Sequence, residues 1–147
     1  MIEKVVHKKK LFALIIKGNF KKKRGITFFT PRNLPQQLGY MRRPIGHIIK
    51  PHKHKKKISK NLLTTEVIFI LKGKLRVDFY SSNSKKNYLF SKILKTKDII
   101  YLVHGAHGFK VLKEVQMFEI KQGPYDNLQD KYKFSEVSEN KIKLKKL

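Results

Sequence analysis

The stretch EVIFILKGKLRVDFY, Glu66–Tyr80, decides the fold class of this chain. In its second half apolar and polar residues alternate, so that Leu75, Val77 and Phe79 share one face, the period of two that is typical of a half-buried strand. Its first half is rich in Val, Ile and Phe, and the two halves meet at a Lys-Gly-Lys turn signal around Gly73. The stretch therefore predicts a β-hairpin that turns at this glycine.

The same pattern continues on both sides of this stretch. From Leu11 to about Gln122, short apolar runs alternate with turn signals and show no helical period. We expect eight or nine short antiparallel strands, arranged most economically as a jelly-roll β-barrel. A parallel α/β fold is excluded, because no connection is long enough for a crossover helix. The runs are LFALII, GITFF, IGHII, EVIFIL, KLRVDFY, NYLFSKIL, DIIYLV, FKVL and VQMFEI.

The length predicts a single domain. A chain of 147 residues fits one ordinary domain with a packed core. We place that core at about residues 11–125, after a basic lead-in at 1–10 and before a polar and basic tail at 126–147.

The net charge of +25 favours an anionic partner. Only five of the 35 basic residues are Arg, the residue that binds phosphate bidentately. Dispersed lysine therefore favours a solvated surface over a nucleic-acid interface. A basic module that binds nucleic acid or another polyanion stays open as a third functional hypothesis, carried by the charge and by FKKKRG at Phe20–Gly25.

The composition also excludes several chemistries. The chain has no Cys, which excludes disulfides, thiolate nucleophiles and sulfur-ligated zinc, and which fits a reducing cytoplasm. The apolar run Leu11–Ile16 is too short for a signal-peptide core or a membrane span. The dispersed glycines form no phosphate-binding loop. We expect a cytoplasmic protein that makes no use of a membrane.

Three histidines and one glutamate carry the chemistry. His52 and His54 are two residues apart, so in a strand both imidazoles point to the same face. Glu66 opens the strand EVIFIL, and His107 lies in the glycine-flanked turn GAHGF. Each residue alone is better explained as part of a loop, a strand end or a turn. Together, three imidazoles and a carboxylate suit a divalent transition metal such as Zn, Fe, Mn or Ni, with positions left open for substrate.

The joint arrangement resembles the first motif of the cupins, small β-barrels of the jelly-roll type. In that motif a Gly, five residues and His-x-His precede a Glu, six residues and a second Gly. Here Gly46 precedes His52 and His54 at that spacing, and Glu66 precedes Gly73 at that spacing. The chain departs between the two halves, where eleven residues replace the three or four of the family. This requires a polar loop inserted between two strands, which a hairpin tip tolerates.

The second cupin motif is matched in part by KDIIYLVHGAHGF. Gly105 and His107 are present, but Val103 replaces the expected Pro, Lys97 replaces the first Gly, and the spacing before the His is one residue short. The resemblance therefore implies His107 as the fourth metal ligand and leaves His104 as a substitute ligand or a nearby acid–base group.

A narrower resemblance, in GHIIKPHKHKKK, HGAHGF and EIKQGPY, is to small single-domain cupins of sugar and surface-polysaccharide pathways. It implies a metal-binding barrel that binds or acts on a small, anionic sugar or sugar-nucleotide derivative. His47 and Tyr101 are candidates for substrate binding at the barrel mouth, and His104 is a candidate catalytic residue. The resemblance and the need to cover edge strands imply a homodimer.

Some related cupins are sugar isomerases or epimerases that work without metal. In these a barrel histidine removes a proton next to a carbonyl, and His52 or His54 is the candidate base here. This metal-free reaction is the alternative to the metal hypothesis.

Overall fold

The computed structural model describes residues 1–22, 24–55, 63–123 and 131–145. The chain divides into two compact units, each of which is described by itself. We call them the sheet unit (Met1–Phe20 and Thr64–Leu147) and the hairpin unit (Lys21–Leu63).

Eight strands run along the described chain. They are β1 (Ile2–His7), β2 (Lys10–Ile16), β3 (Gly25–Phe28), β4 (Gly39–Arg42), β5 (Glu66–Tyr80), β6 (Tyr88–Lys95), β7 (Ile99–Leu102) and β8 (Ala106–Lys121). In the sheet unit the order is β1-β2-β7-β5-β6, with β8 along the other edge of β5, and every pairing is antiparallel. In the hairpin unit β3 pairs with β4.

The all-β, antiparallel fold class predicted from the sequence is confirmed. Apart from strands, the regular elements of the described residues are two single 3₁₀ turns, Lys85–Asn87 and Glu139–Lys141. No helix in the described part of the chain has the length and apolar character needed to cross a membrane.

The core of the sheet unit consists of buried apolar residues of β1, β2, β5, β6 and β7. The predicted apolar face of β5, formed by Leu75, Val77 and Phe79, is fully buried there. Burial of a side chain of this size contributes about 1.5–3 kcal/mol. The sequence alternation and the buried face therefore agree on this half of β5.

The hairpin predicted within Glu66–Tyr80 is wrong, because β5 is one continuous strand of 15 residues. Gly73 has a left-handed backbone (φ +101°), but the register against β8 shifts around it and then continues. Each shift inserts an unpaired residue, which bends a strand and increases its twist. The glycine therefore bends β5 and does not reverse it.

This bend brings both ends of β5 next to the short connection between β7 and β8. Glu66 pairs with Leu102 at the end of β7, whereas Phe79, thirteen residues later, pairs with His107 at the start of β8. A straight strand would hold residues so far apart at about 43 Å. Because only four residues separate Leu102 from His107, β5 must curve strongly between its ends. The curvature positions the candidate site described below.

Substitution of Gly73 by alanine is expected to destabilise the sheet unit by about 2–4 kcal/mol. A Cβ atom at this position would collide with the carbonyl oxygen of Glu114 in β8, in a backbone conformation that side chains rarely adopt. Urea unfolding measures the change. Gly25 is the matched control, since its φ is also positive (+120°) and its Cβ would meet no atom within 4 Å. An equal loss in both variants would show that the packing against β8 is unimportant.

The polar face of β5 is also buried, under the end of the chain. Arg76 donates to both carboxylate oxygens of Asp78, from Nε at 2.8 Å and Nη2 at 3.1 Å, and it also donates to both oxygens of Glu139. The hydroxyl of Ser91 donates to Asp78. These bonds hold residues 131–145 against β5 and β6. Hydrogen bonding to Arg76 and to Lys110 lowers the pKa of Glu139 to about 2.

The tail is held by backbone bonds as well. The Ser91 N–H donates to the Lys143 carbonyl at 2.8 Å, and the Lys145 N–H donates to the Ser91 carbonyl at 3.1 Å. The Val137 N–H donates to the hydroxyl of Tyr80 at 3.2 Å. The described part of the tail is thus attached to the sheet unit by backbone hydrogen bonds at Val137, Lys143 and Lys145.

Candidate functional site

Glu66 and His107 meet at the end of the sheet unit where β5 begins and β8 begins. His107 Nε2 lies 2.9 Å from Glu66 Oε2, within hydrogen-bond distance. Glu66 is buried and His107 is half-buried. The two residues are 41 positions apart in the chain, and the bend in β5 together with the short β7–β8 connection brings them into contact.

The electrostatics of this pair favour an ionised carboxylate. The hydrogen bond with His107 lowers the pKa of Glu66, and burial opposes it. The charges of His107, Lys131 and Lys121 lower the pKa further, and Lys131 Nζ lies 4.0 Å from Glu66 Oε1. A carboxylate that stays charged in a partly buried position is a good ligand for a cation and a good partner for an imidazolium.

A side-chain amide fixes the beginning of β5. Gln122 Oε1 accepts from the Thr65 N–H at 2.8 Å, and Gln122 Nε2 donates to the Thr65 hydroxyl at 2.9 Å. Both bonds act on the residue directly before Glu66, so they hold its backbone against the end of β8.

His104 lies beside this pair, and a hydrogen bond from its Nδ1 atom to the backbone holds its ring in place. Its Nδ1 lies 3.0 Å from the Leu11 carbonyl oxygen, so Nδ1–H donates in the matching tautomer. Such a bond leaves Nε2 as the free acceptor, which is the arrangement that orients a metal-binding or proton-transferring histidine.

These side chains line a cavity of about 400 Å³, which we call the mouth cavity. A volume of this size holds a small organic molecule. Its chemically relevant lining residues are Glu66, His104, His107, Phe109, Lys131 and Tyr132.

Sequence reasoning missed Lys131 and Tyr132. Both follow the last apolar strand run, in a stretch that carries neither a motif nor an alternating pattern. Only the docking of the tail on the sheet brings them to the cavity, and no local sequence signal indicates that docking.

His52 and His54 lie in the hairpin unit, with ring centroids 5.2 Å apart and ring planes at 74°. His52 Nδ1 lies 2.9 Å from the Lys50 carbonyl oxygen, which leaves its Nε2 available. The prediction that both lie at the end of a strand is wrong, because β4 ends at Arg42 and residues 43–55 form no strand. Pro44 and Pro51, which have no N–H to donate to a ladder, disfavour a strand here.

The two proposed substrate-binding residues lie in different units. His47 is exposed in the hairpin unit, where its N–H donates to the Pro44 carbonyl at 3.3 Å. Tyr101 is fully buried in β7 between β2 and β5. Of the residues that the structure describes within each unit, no three His, Asp or Glu side chains converge as metal ligands.

The chain is similar to two curated plant proteins. Over 93 residues, 59% of the chain, it is 39% identical to germin-like protein subfamily 1 member 3 of Arabidopsis thaliana. Over 61 residues, 42% of the chain, it is 38% identical to germin-like protein subfamily 1 member 6 of the same plant. The matches span only 37% and 24% of the relatives' own length. No protein-family model and no solved structure matches the chain.

These similarities agree with the motifs and with the strand architecture. Germin-like proteins are members of the cupin superfamily, so the partial matches support the resemblance to cupins. Together with the antiparallel all-β structure, the partial matches support the predicted jelly-roll fold of the kind found in cupins.

Proposed function

We propose that this protein is a metal-binding cupin that binds or acts on a small molecule in the mouth cavity. The observation that carries the proposal is the contact of Glu66 with His107 inside a cavity of suitable volume. Glu66 and His107 supply two ligands, and His52 and His54 are the proposed remaining two. His104 is the proposed proton-transferring residue, because its anchored ring leaves one nitrogen free.

The contact between Glu66 and His107 supports a divalent transition metal as the proposed ion. The 2.9 Å between His107 Nε2 and Glu66 Oε2 is close to the separation of about 3.0 Å between adjacent ligands of an octahedral ion with bonds of about 2.1 Å. The bond from His52 Nδ1 to the Lys50 carbonyl matches the second contact that metal-bound histidines usually make. A metal bound there would polarise a carbonyl or hydroxyl group of the substrate.

The cavity lining supports an anionic sugar or sugar-nucleotide derivative as substrate. Lys131 provides positive charge beside Glu66, while Phe109 and Tyr132 add aromatic surface against which a sugar ring or base can pack. This proposal also rests on the sequence resemblance to cupins of sugar and polysaccharide pathways.

The contact of Glu66 with His107 also favours a second candidate, the metal-free isomerase or epimerase. A carboxylate that accepts from one imidazole nitrogen orients the ring and leaves the other nitrogen to act as a base. In this case His107 takes the role first assigned to His52 or His54. Turnover that survives a strong chelator would support this candidate over the metal site.

The compartment and the oligomeric state are also proposals. We propose a cytoplasmic location, because a chain without Cys fits a reducing compartment. A homodimer is supported by the outer edge of β8, which pairs with no other strand among the described residues of the sheet unit.

Metal analysis tests the proposed function directly. Protein purified with divalent metals is expected to hold about one ion per chain, and the double variant His52→Ala/His54→Ala to hold almost none, because half of the ligands are removed. His7→Ala is the matched control and should keep the metal, since His7 packs against Phe12 and does not line the mouth cavity. A wild-type protein without metal, or an unchanged content in the double variant, would contradict the proposal.

A further inference from the structure

A second cavity lies at the opposite end of β7. The mouth cavity includes Leu102 at the last position of this strand, whereas the second cavity includes Asp98 immediately before its first position. Four strand residues separate the two places by about 13 Å. The second cavity has a volume of about 890 Å³ and is lined by six lysines, Lys17, Lys74, Lys92, Lys95, Lys97 and Lys145. We call it the lysine cleft.

Asp98 holds the backbone of the lysine cleft in place. This buried carboxylate accepts from Lys17 Nζ at 2.8 Å, from the Gly18 N–H at 2.9 Å and from the Lys95 N–H at 3.0 Å. Lys97 adopts a left-handed backbone (φ 70°), which is uncommon for a residue other than Gly, Asn or Asp. The turn therefore holds a lysine in a conformation that this residue type disfavours, and such local strain often accompanies function.

The positive charge of the cleft is only partly neutralised. Asp98 is paired with Lys17, and Glu3 is paired with Lys92. Among the described residues no carboxylate pairs with the ammonium groups of Lys74, Lys95 or Lys97. Lysines that line one cavity and whose ammonium groups have no carboxylate partner attract an anion.

The remaining lining is apolar. Ile15, Ile93 and Leu144 lie between the lysines in the wall of the cleft. A volume of about 890 Å³ is far larger than a simple inorganic anion needs and is within the range of organic ligand sites. The cleft therefore combines sites for negative charge with space and apolar surface for an organic group.

We propose that the lysine cleft binds an organic phosphate ester. The phosphate contacts Lys74 and Lys97, each acting as a point charge, and the organic part packs against Ile93 and Leu144. This site is separate from the Glu66–His107 pair and does not depend on the proposed function.

Isothermal titration with ADP, octyl phosphate, adenosine and inorganic phosphate tests the proposal. We expect an ester, ADP or octyl phosphate, to bind more tightly than adenosine and than inorganic phosphate, and to bind more weakly at high salt. Which of the two esters binds better shows whether the organic part is a nucleoside or an alkyl chain. Inorganic phosphate that binds as tightly as both esters, or no binding of either ester, would overturn the proposal.

Two double variants with equal charge loss locate the site. Lys74→Gln/Lys97→Asn is expected to weaken ester binding about tenfold, since two phosphate contacts are lost. Asn tolerates the left-handed backbone, so this variant should fold, and its thermal midpoint verifies that. The control Lys85→Gln/Lys86→Gln lies outside the cleft and should change affinity less than about twofold. Equal weakening in both would show nonspecific charge attraction and overturn the assignment.

Discussion

Replacing Asp78 by alanine is expected to lower the free energy of unfolding by about 3–5 kcal/mol, because it leaves the buried guanidinium of Arg76 without its nearest counter-charge. Asp78 is only 3% exposed and accepts two hydrogen bonds from Arg76 and one from Ser91. The remaining partner, Glu139, is largely solvent-exposed and cannot replace a buried carboxylate. Urea unfolding of the wild type and the variant measures the loss.

The matched control for Asp78 is Lys110→Gln. Lys110 also donates to Glu139, at 2.7 Å, but both side chains of this pair are exposed. Exposed pairs contribute little to stability, so this variant should unfold almost like the wild type. Similar unfolding of the Asp78 and Lys110 variants would contradict the assignment of the network as a buried contact between β5 and the tail. The double variant Arg76→Met/Asp78→Leu should lose less than Asp78→Ala alone, since it leaves no buried charge unpaired.

Glu66→Ala and His107→Ala are each expected to weaken metal binding about 100-fold or more. Changes in residues that only orient metal ligands already cost 10- to 100-fold in affinity, and removal of a ligand costs at least as much. Competition with a chelating dye measures the affinity of each variant. The loss should be shared by both variants, because the two side chains lie 2.9 Å apart and are proposed as ligands of one ion.

His104→Ala separates metal binding from proton transfer. If His104 moves a proton from its anchored position, this variant keeps the metal and loses turnover or substrate discrimination. If the metal affinity falls in His104→Ala and stays normal in His107→Ala, His104 is the fourth ligand and the assignment to His107 is wrong. Normal metal affinity in Glu66→Ala would contradict the metal site altogether.

Local sequence patterns predict the strands of this protein better than their connections. The alternation of Leu75, Val77 and Phe79 identifies the buried face of β5, because burial follows directly from the period of two. The Lys-Gly-Lys turn signal around Gly73 suggests a reversal, yet only the pairing of β8 along both halves shows that the chain bends and continues. In the sequence, Arg76 and Asp78 look like part of a solvent-exposed face. They are buried because a segment about 60 residues later in the chain covers them, and no local pattern indicates that contact.

The candidate site is predictable only where motif spacing constrains it. Motif spacing and the resemblance to cupins predict Glu66 and His107 as site residues, and the structure places the two in contact. The anchoring of His104 by the Leu11 carbonyl, 93 positions away, has no local signal. The same holds for Lys131, which reaches Glu66 only because the tail docks on the sheet unit.

The most direct test of the central claim is an anomalous difference map from a crystal of the metal-loaded protein. One strong peak is expected about 2.0–2.3 Å from the Glu66 carboxylate and from His107 Nε2. Stoichiometric metal that lies elsewhere, or a Glu66–His107 pair that keeps its direct hydrogen bond with no peak beside it, would contradict the metal-binding function proposed for this site.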